Sequence, residues 1–378
     1  MQSFAHEMLR EIYEQPEAIR RALALYLAPQ GLKPEVARML AGWSIPEGEI
    51  LIAASGSRRH SGLAAEILLE DLCGLAVDVE YASEYSSRGN NGQQDARHPS
   101  VLVLSQSGET SDTLAALHEA SLRGQKTLAI TNAAGSSMER EASVSMPLAA
   151  GVERAIPATK SFTSQLAVLY LLALYEAARL GRMDAAALAG RIANLRALPD
   201  SMDAQLDGWR EQTAALARKY KSAATFLYLG RGIHYAIARE GALKLKEASY
   251  VHAEGYPTGE LKHGPNALVS DRVPLVVLAT VDRTLDASVL RYEKTLQLLR
   301  DMNAQGARVI AIADTGDQAV PALVSDCVHV QPASEYLLPI LEVVPLQLFS
   351  YFMALERGVD VDRPRNLSKA VVEQAAAS

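Results

Sequence analysis

Largely apolar runs of four to seven residues, closed by small or polar residues, alternate along this chain with longer stretches in which apolar positions recur every three or four residues. The short runs predict buried strands at 50–54, 75–81, 101–104, 127–131 and 144–148, then at 225–229, 275–278, 308–313 and 327–330. The intervening stretches have helical spacing. Strands apolar on both faces and separated by helices belong to parallel sheets covered on both sides. The expected fold is therefore α/β: two duplicated, parallel-sheet, flavodoxin-like domains with a helical N-terminal arm and a C-terminal tail.

The two strand series are related. Gly56 recurs as Gly230, and Val103-Leu104 as Val277-Leu278, each 174 positions later. Ala129-Ile130 recurs as Ala311-Ile312, now 182 positions later, and Glu153, Pro157 and Gln165 recur as Glu335, Pro339 and Gln347 at that same spacing. One insertion between two otherwise constant spacings is the mark of a duplication. The predicted organisation is an arm at 1–44, a phosphate-binding domain at 45–195, a helical linker at 196–221, a catalytic domain at 222–355, and a tail at 356–378 that closes the site.

Ser105-Gln106-Ser107-Gly108-Glu109-Thr110 follows the strand at 101–104 and precedes a helical pattern. Backbone N–H groups at a helix start lack partners and carry partial positive charge, so such a turn holds anions. Four hydroxyl or amide side chains add donors, and Gly108 permits close backbone approach. A capped βα turn uses the same residue types. Without a P-loop lysine the turn does not specify a nucleotide. The second copy, Ala279-Thr280-Val281-Asp282-Arg283-Thr284, lacks the glycine and carries an acid. The first domain is thus expected to hold the anion and the second to supply chemistry.

Net charge is −7 over 378 residues, which argues against nucleic acid as a partner. Two cysteines, Cys73 and Cys327, have no metal-ligand spacing and are expected as free thiols in a reducing cytoplasm. The residues present call for no metal or cofactor. No signal peptide is read at the start, and the apolar stretch 165–175 is too short to cross a bilayer.

Chemistry is expected in three places of the second half. In a helix, Glu240, Lys244 and Glu247 share one face, an arrangement that an exposed ion-pair ladder also gives. A polar loop then carries His252, Glu254, Glu260, Lys262 and His263 between glycines and a proline. The tail carries Asp362-Arg363-Pro364-Arg365-Asn366-Leu367-Ser368-Lys369, which Pro364 keeps extended, with Leu367, Val371 and Val372 as apolar anchors.

Taken in order, these segments resemble the sugar isomerase (SIS) family, built from two phosphosugar-binding domains. Within it they resemble the isomerase half of the glutamine–fructose-6-phosphate aminotransferases. The resemblance runs from Glu7-Met8-Leu9-Arg10-Glu11-Ile12-Tyr13 to Lys369. No glutaminase segment precedes it, which implies that this chain does not draw ammonia from glutamine by that route. The resemblance implies that Ser105, Gln106, Ser107 and Thr110 hold a sugar 6-phosphate, and that Ser57, Arg58, Ile156 and Ser368 line the substrate. It implies Glu247 as the proton carrier between C1 and C2, Lys244 as its support, Lys369 as the Schiff-base lysine, and His263 as a ring-opening aid from a neighbouring subunit of a homodimer. Ser57-Arg58 stands where the family has Thr-Ser, and Ala158 where it has serine. The implied activity is amino-sugar 6-phosphate isomerisation and deamination, glucosamine 6-phosphate giving fructose 6-phosphate and ammonia. The alternatives are a stand-alone isomerase half using free ammonia or a partner glutaminase, and a non-catalytic phosphosugar-binding regulator.

Overall fold

The computed structural model describes residues 4–43, 49–88 and 100–369. The chain folds into two compact units. The N-terminal unit comprises Glu17–Glu153, Lys160–Arg196 and the tail from Ser368; the C-terminal unit comprises the chain up to Pro16, Arg154–Thr159 and Ala197–Leu367.

In the N-terminal unit, helix α2 (Gln15–Tyr26) leads into a two-residue hairpin, β1 (Leu27–Ala28) and β2 (Gly31–Leu32), and α3 (Pro34–Ala41). Then come β3 (Glu49–Ala54), α4 (Ser57–Cys73), β4 (Ala76–Tyr81), α5 (Ala82–Ser87), β5 (Ser100–Leu104), α6 (Ser111–Leu122), β6 (Lys126–Thr131), α7 (Ser137–Glu141), β7 (Val144–Pro147) and α8 (Lys160–Arg179). The sheet order is β4-β3-β5-β6-β7 and every pairing is parallel. In order of sequence that is 2-1-3-4-5, the flavodoxin-like winding. Ala54 is level with Leu104 in the register, so the turns after β3 and β5 open side by side at the carboxyl edge. That is the switch point, where successive helices leave to opposite faces and a crevice opens.

The C-terminal unit begins with α1 (Glu7–Tyr13). Helix α9 (Ala185–Asp203) passes from one unit into the other, followed by α10 (Leu206–Tyr220). The second sheet is built from β8 (Thr225–Gly230), β9 (His252–Pro257), β10 (Leu275–Leu278), β11 (Val309–Asp314) and β12 (Asp326–Val330), with α11 (His234–Ser249), α12 (Asp286–Ala304) and α13 (Leu338–Glu356). Its order is β9-β8-β10-β11-β12, again 2-1-3-4-5 and all parallel. Both units therefore have the same winding, as the recurring residues require of a duplication.

Three readings need correction. The arm is not continuous helix, because the hairpin Leu27–Leu32 interrupts it. The stretch His252–Pro257, read as loop, is an edge strand paired with β8. Its glycine and proline are ordinary strand breakers, but Pro257 ends an edge strand where its missing N–H costs little. Gly255 is required there: a Cβ would stand 2.7 Å from the Arg239 Cα of α11. The apolar stretch 165–175 lies within the 20-residue α8, and the most apolar helix is instead the 19-residue α13. Among the described residues it alone is long and apolar enough to cross a membrane, and 89% of its most apolar window is buried in the fold. Pro345 inside it sits among buried neighbours.

Candidate functional site

The predicted anion turn brings three hydroxyl side chains together. Ser105 is buried, while Ser107 and Thr110 are half-buried. The Gly108 N–H donates to Ser105 Oγ at 2.9 Å and the Glu109 N–H to Ser107 Oγ at 3.1 Å. Each hydroxyl that accepts a backbone proton keeps its own proton to donate. Thr110 Oγ1 lies 3.4 Å from both Ser105 Oγ and Ser107 Oγ, so three hydroxyls converge. Thr110 is the N-cap residue of α6 but makes no side-chain capping bond among the described residues. The Gln106 carbonyl accepts the N–H groups of Asn132 and Ala133 at 3.1 and 3.2 Å, tying the turn to the end of β6. Gly108 has φ +66°, and a Cβ there would collide with the Ser136 side chain. The Glu109 carboxylate accepts the Ser137 N–H at 2.8 Å, and that bond holds its pKa below the ordinary range.

Beside the turn at the switch point, α4 starts at Ser57 after Gly56, whose φ is +55°. Ser57 and Arg58 are both buried. The Arg58 guanidinium donates to Ser161 Oγ at 2.7 Å and to Gln165 Oε1 at 3.3 Å, both on α8. Ser161 donates its hydroxyl to Glu153 Oε2 at 2.6 Å and its N–H to Glu153 Oε1 at 3.1 Å. Lys369 donates to Glu153 Oε2 at 2.9 Å. Burial by itself raises the Glu153 carboxyl, but Lys369, Arg58 and the Ser161 hydroxyl outweigh it and hold the pKa at about 2. Glu153 was noted only as a repeat marker. Its recurrence as Glu335 was the signal of a role, because a carboxylate kept in both copies among apolar neighbours needs a buried partner.

In the C-terminal unit the Glu240–Lys244–Glu247 face is not an exposed ladder. Glu240 and Lys244 are fully buried, and only Glu247, 22% exposed at its side chain, reaches solvent. Lys244 Nζ lies 3.4 Å from Glu240 Oε1 and donates to Glu247 Oε2. A buried ammonium is stable only with such partners. Helix α11 ends at Tyr250, whose φ of +59° turns the chain out. The tail is anchored at that end: the Arg365 N–H donates to the Tyr250 hydroxyl at 2.6 Å and its guanidinium stacks 4.3 Å from the ring centroid. The Asp362 carboxylate accepts the Glu7 and Met8 N–H groups at 2.8 and 2.9 Å, fastening the tail to the start of α1.

Tail anchoring is therefore polar and aromatic, with Leu367 45% exposed; Val371 and Val372 lie outside the described residues. His263 is exposed at the end of the 3₁₀ turn Thr258–His263. Ile156 is half-buried in a segment whose neighbours Arg154 and Ala155 donate N–H groups to the buried Glu11 carboxylate. Ser368 is exposed.

The second copy of the anion turn is filled by its own ions, which sequence reading missed. Val281 and Asp282 donate their N–H groups to Asp314 Oδ2 and Ser288 Oγ, each at 2.9 Å. His234 lies between Glu342, 2.8 Å from Nδ1, and Glu335, 3.4 Å from Nε2. Burial by itself lowers the imidazole, but the two carboxylates outweigh it and raise its pKa to about 10, so it is cationic at neutral pH. Arg291 and Ser288 complete the partners of Glu335. In the first copy both backbone donors meet serine hydroxyls, which have a proton of their own to pass on, whereas here one meets the Asp314 carboxyl, so the two copies have diverged in chemistry.

A family model described as "SIS domain" matches residues 45–175 and again 219–357. The isomerizing glutamine–fructose-6-phosphate aminotransferase of Chlorobaculum tepidum is 40% identical over 376 residues, covering 97% of this chain and 58% of that protein. A protein of the same name from Thermus thermophilus is 40% identical over 368 residues, with coverage of 97% and 59%. This chain thus spans under two thirds of the length of the curated relatives it matches. Among solved structures, the C-terminal domain of glucosamine-fructose-6-phosphate aminotransferase from Francisella tularensis superposes with a TM-score of 0.85 at 32% identity. That match covers 96% of this chain and 99% of that one. A glucosamine-6-phosphate deaminase from Thermotoga maritima has a TM-score of 0.72 at 22% identity, covering 97% and 100%, a likeness of fold.

Proposed function

This chain belongs to the SIS domain family, and from that membership we propose that it interconverts glucosamine 6-phosphate with fructose 6-phosphate and ammonia. The observation that carries the reading is the α11 triad. A buried Lys244 with two carboxylate partners is an expensive arrangement for stability alone, and it leaves Glu247 fixed and open to solvent.

In this reading the 6-phosphate is held by Ser105, Gln106, Ser107 and Thr110 with the helix N-terminus behind them. Ser57, Ile156 and Ser368 line the sugar. His263, supplied by a second copy in a homodimer, assists ring opening. The Glu247 carboxylate then takes the proton from C2 and returns it at C1, while the C1 oxygen gains a proton and the C2 amine gives one up, so that C1=O becomes C1–OH and C2–NH2 becomes C2=NH. Lys369, as the free amine, adds at C2 and displaces ammonia; water then hydrolyses the lysine imine and releases the ketose. Lys244 holds Glu247 in place. We place the protein in the cytoplasm, where Cys73 and Cys327, both free, stay reduced.

Incubation with glucosamine 6-phosphate tests this: ammonia and fructose 6-phosphate are expected in equal amounts. A second reading follows from the relatives near 40% identity named as aminotransferases: the chain acts as the isomerase part of such a protein. That reading predicts glucose 6-phosphate from fructose 6-phosphate without ammonia release. Binding without either turnover would leave a phosphosugar-binding regulator. For Ser107→Ala, binding of phosphorylated sugars is expected to weaken about 10-fold, the worth of one hydrogen bond to an anion. Free sugars should bind unchanged. An equal loss for both, measured by calorimetry, rejects the cradle.

A further inference from the structure

The contacts of Arg58 in the N-terminal unit form a directed relay. Arginine has donors only. Ser161 Oγ therefore accepts from Arg58 at 2.7 Å, and its single proton goes to Glu153 Oε2 at 2.6 Å. Lys369 Nζ holds that same oxygen at 2.9 Å. Gln165 Oε1 fixes the other arm of the guanidinium at 3.3 Å and is itself held by the Ser61 hydroxyl at 2.7 Å. Arg58 is 7% exposed and Ser161 fully buried, so the relay is shielded from water, where charges act strongly.

We propose that Arg58 is a positioning residue for Lys369: through Ser161 it draws on the Glu153 carboxylate and slackens that carboxylate's hold on the Lys369 ammonium. The proposal rests on reading Lys369 as the imine-forming residue. An ammonium has no lone pair. It must lose a proton before Nζ adds to the ketose C2; the carbonyl oxygen then leaves as water and an iminium C=N bond remains. A carboxylate that owed its whole charge to Lys369 would keep that proton on. Sharing it with a second cation makes proton loss easier.

Two further cations lie along the chain that leads to Glu153. Lys160 heads α8, its Nζ 4.0 Å from where a Cβ on Gly151 would stand. Arg21, from α2, donates to the Ala149 and Ala150 carbonyls, each at 3.1 Å. Neither changes in the variants below. Glu153 is ionised throughout the working pH range and does not itself titrate in it.

The test is the pH profile of cyanoborohydride trapping with fructose 6-phosphate, with the added mass located on Lys369 by peptide mass spectrometry. In Arg58→Met the midpoint of the profile is expected to rise by about one pH unit, at the low end of the shifts a neighbouring charge produces. Trapping on the acid side then falls about tenfold while the alkaline plateau is kept. Arg58→Lys should restore the wild-type midpoint, and Ser161→Ala should raise it as Arg58→Met does. An unmoved midpoint in Arg58→Met overturns the proposal, including the case where only affinity for the phosphorylated sugar falls, as for a phosphate clamp. Should Arg58→Met fail to fold, Ser161→Ala decides by the same two outcomes. Wild type left unmodified at Lys369 overturns the imine reading and this proposal with it. Modification at Lys369 with no shift in either variant overturns this proposal alone.

Discussion

Replacing Glu247 with glutamine is expected to slow turnover of glucosamine 6-phosphate by roughly 10²–10⁴-fold, the range of a lost general base. The amide keeps the size of the side chain and an oxygen facing Lys244, but it cannot take a proton from carbon. Lys244 retains Glu240 at 3.4 Å, so the buried cation stays paired and the fold should hold. Trapping of fructose 6-phosphate on Lys369 should survive, because imine formation does not need the C1–C2 proton transfer. Initial rates of ammonia release, with a thermal unfolding curve as control, check this. Turnover within tenfold of wild type rejects Glu247 as the carrier.

Lys369→Ala is expected to lose turnover on the order of 10³-fold or more, as when a nucleophile that works as a unit with its neighbours is removed. The alanine variant also leaves the buried Glu153 without one of its cations, so a loss of stability accompanies the loss of activity. Lys369→Arg separates the two effects. It returns a cation to Glu153 but offers no amine that deprotonates near neutral pH. Recovery of the unfolding temperature without recovery of turnover is the expected pair of results. If Lys369→Arg turned over at the wild-type rate, the imine role would fail.

The fold was legible where central strands left uninterrupted apolar runs, and at the edge strand β4 where apolar positions alternate with Asp78 and Glu80. All nine expected strands are present, within two residues of their expected ends. Strand β9 was hidden because an edge strand with Gly255 and Pro257 has no apolar run to show. The strand–turn–helix order around Ser105–Thr110 was legible because its signal is local. The Glu240–Lys244–Glu247 face was legible as spacing, but spacing alone did not distinguish a buried triad from a surface ladder. What periodicity could not show were the long-range partners. Glu153 meets Lys369 across 216 positions of sequence, and His234 meets Glu342 across 108. No local rule pairs such residues. Only the recurrence of Glu153 as Glu335 marked them, and only as a trace of duplication. Arg58 was visible as a departure, yet its acceptors, Ser161 and Gln165, lie on a helix that begins about a hundred residues later.

The central claim is that one lysine near the chain's end captures a ketose recognised by its phosphate. The most direct measurement treats the wild-type protein with fructose 6-phosphate and cyanoborohydride, digests it, and maps the adduct by peptide mass spectrometry, with fructose in parallel. A single reduced adduct on Lys369, formed with fructose 6-phosphate and not with fructose, is predicted. An adduct on another lysine, or equal labelling by both sugars, contradicts it.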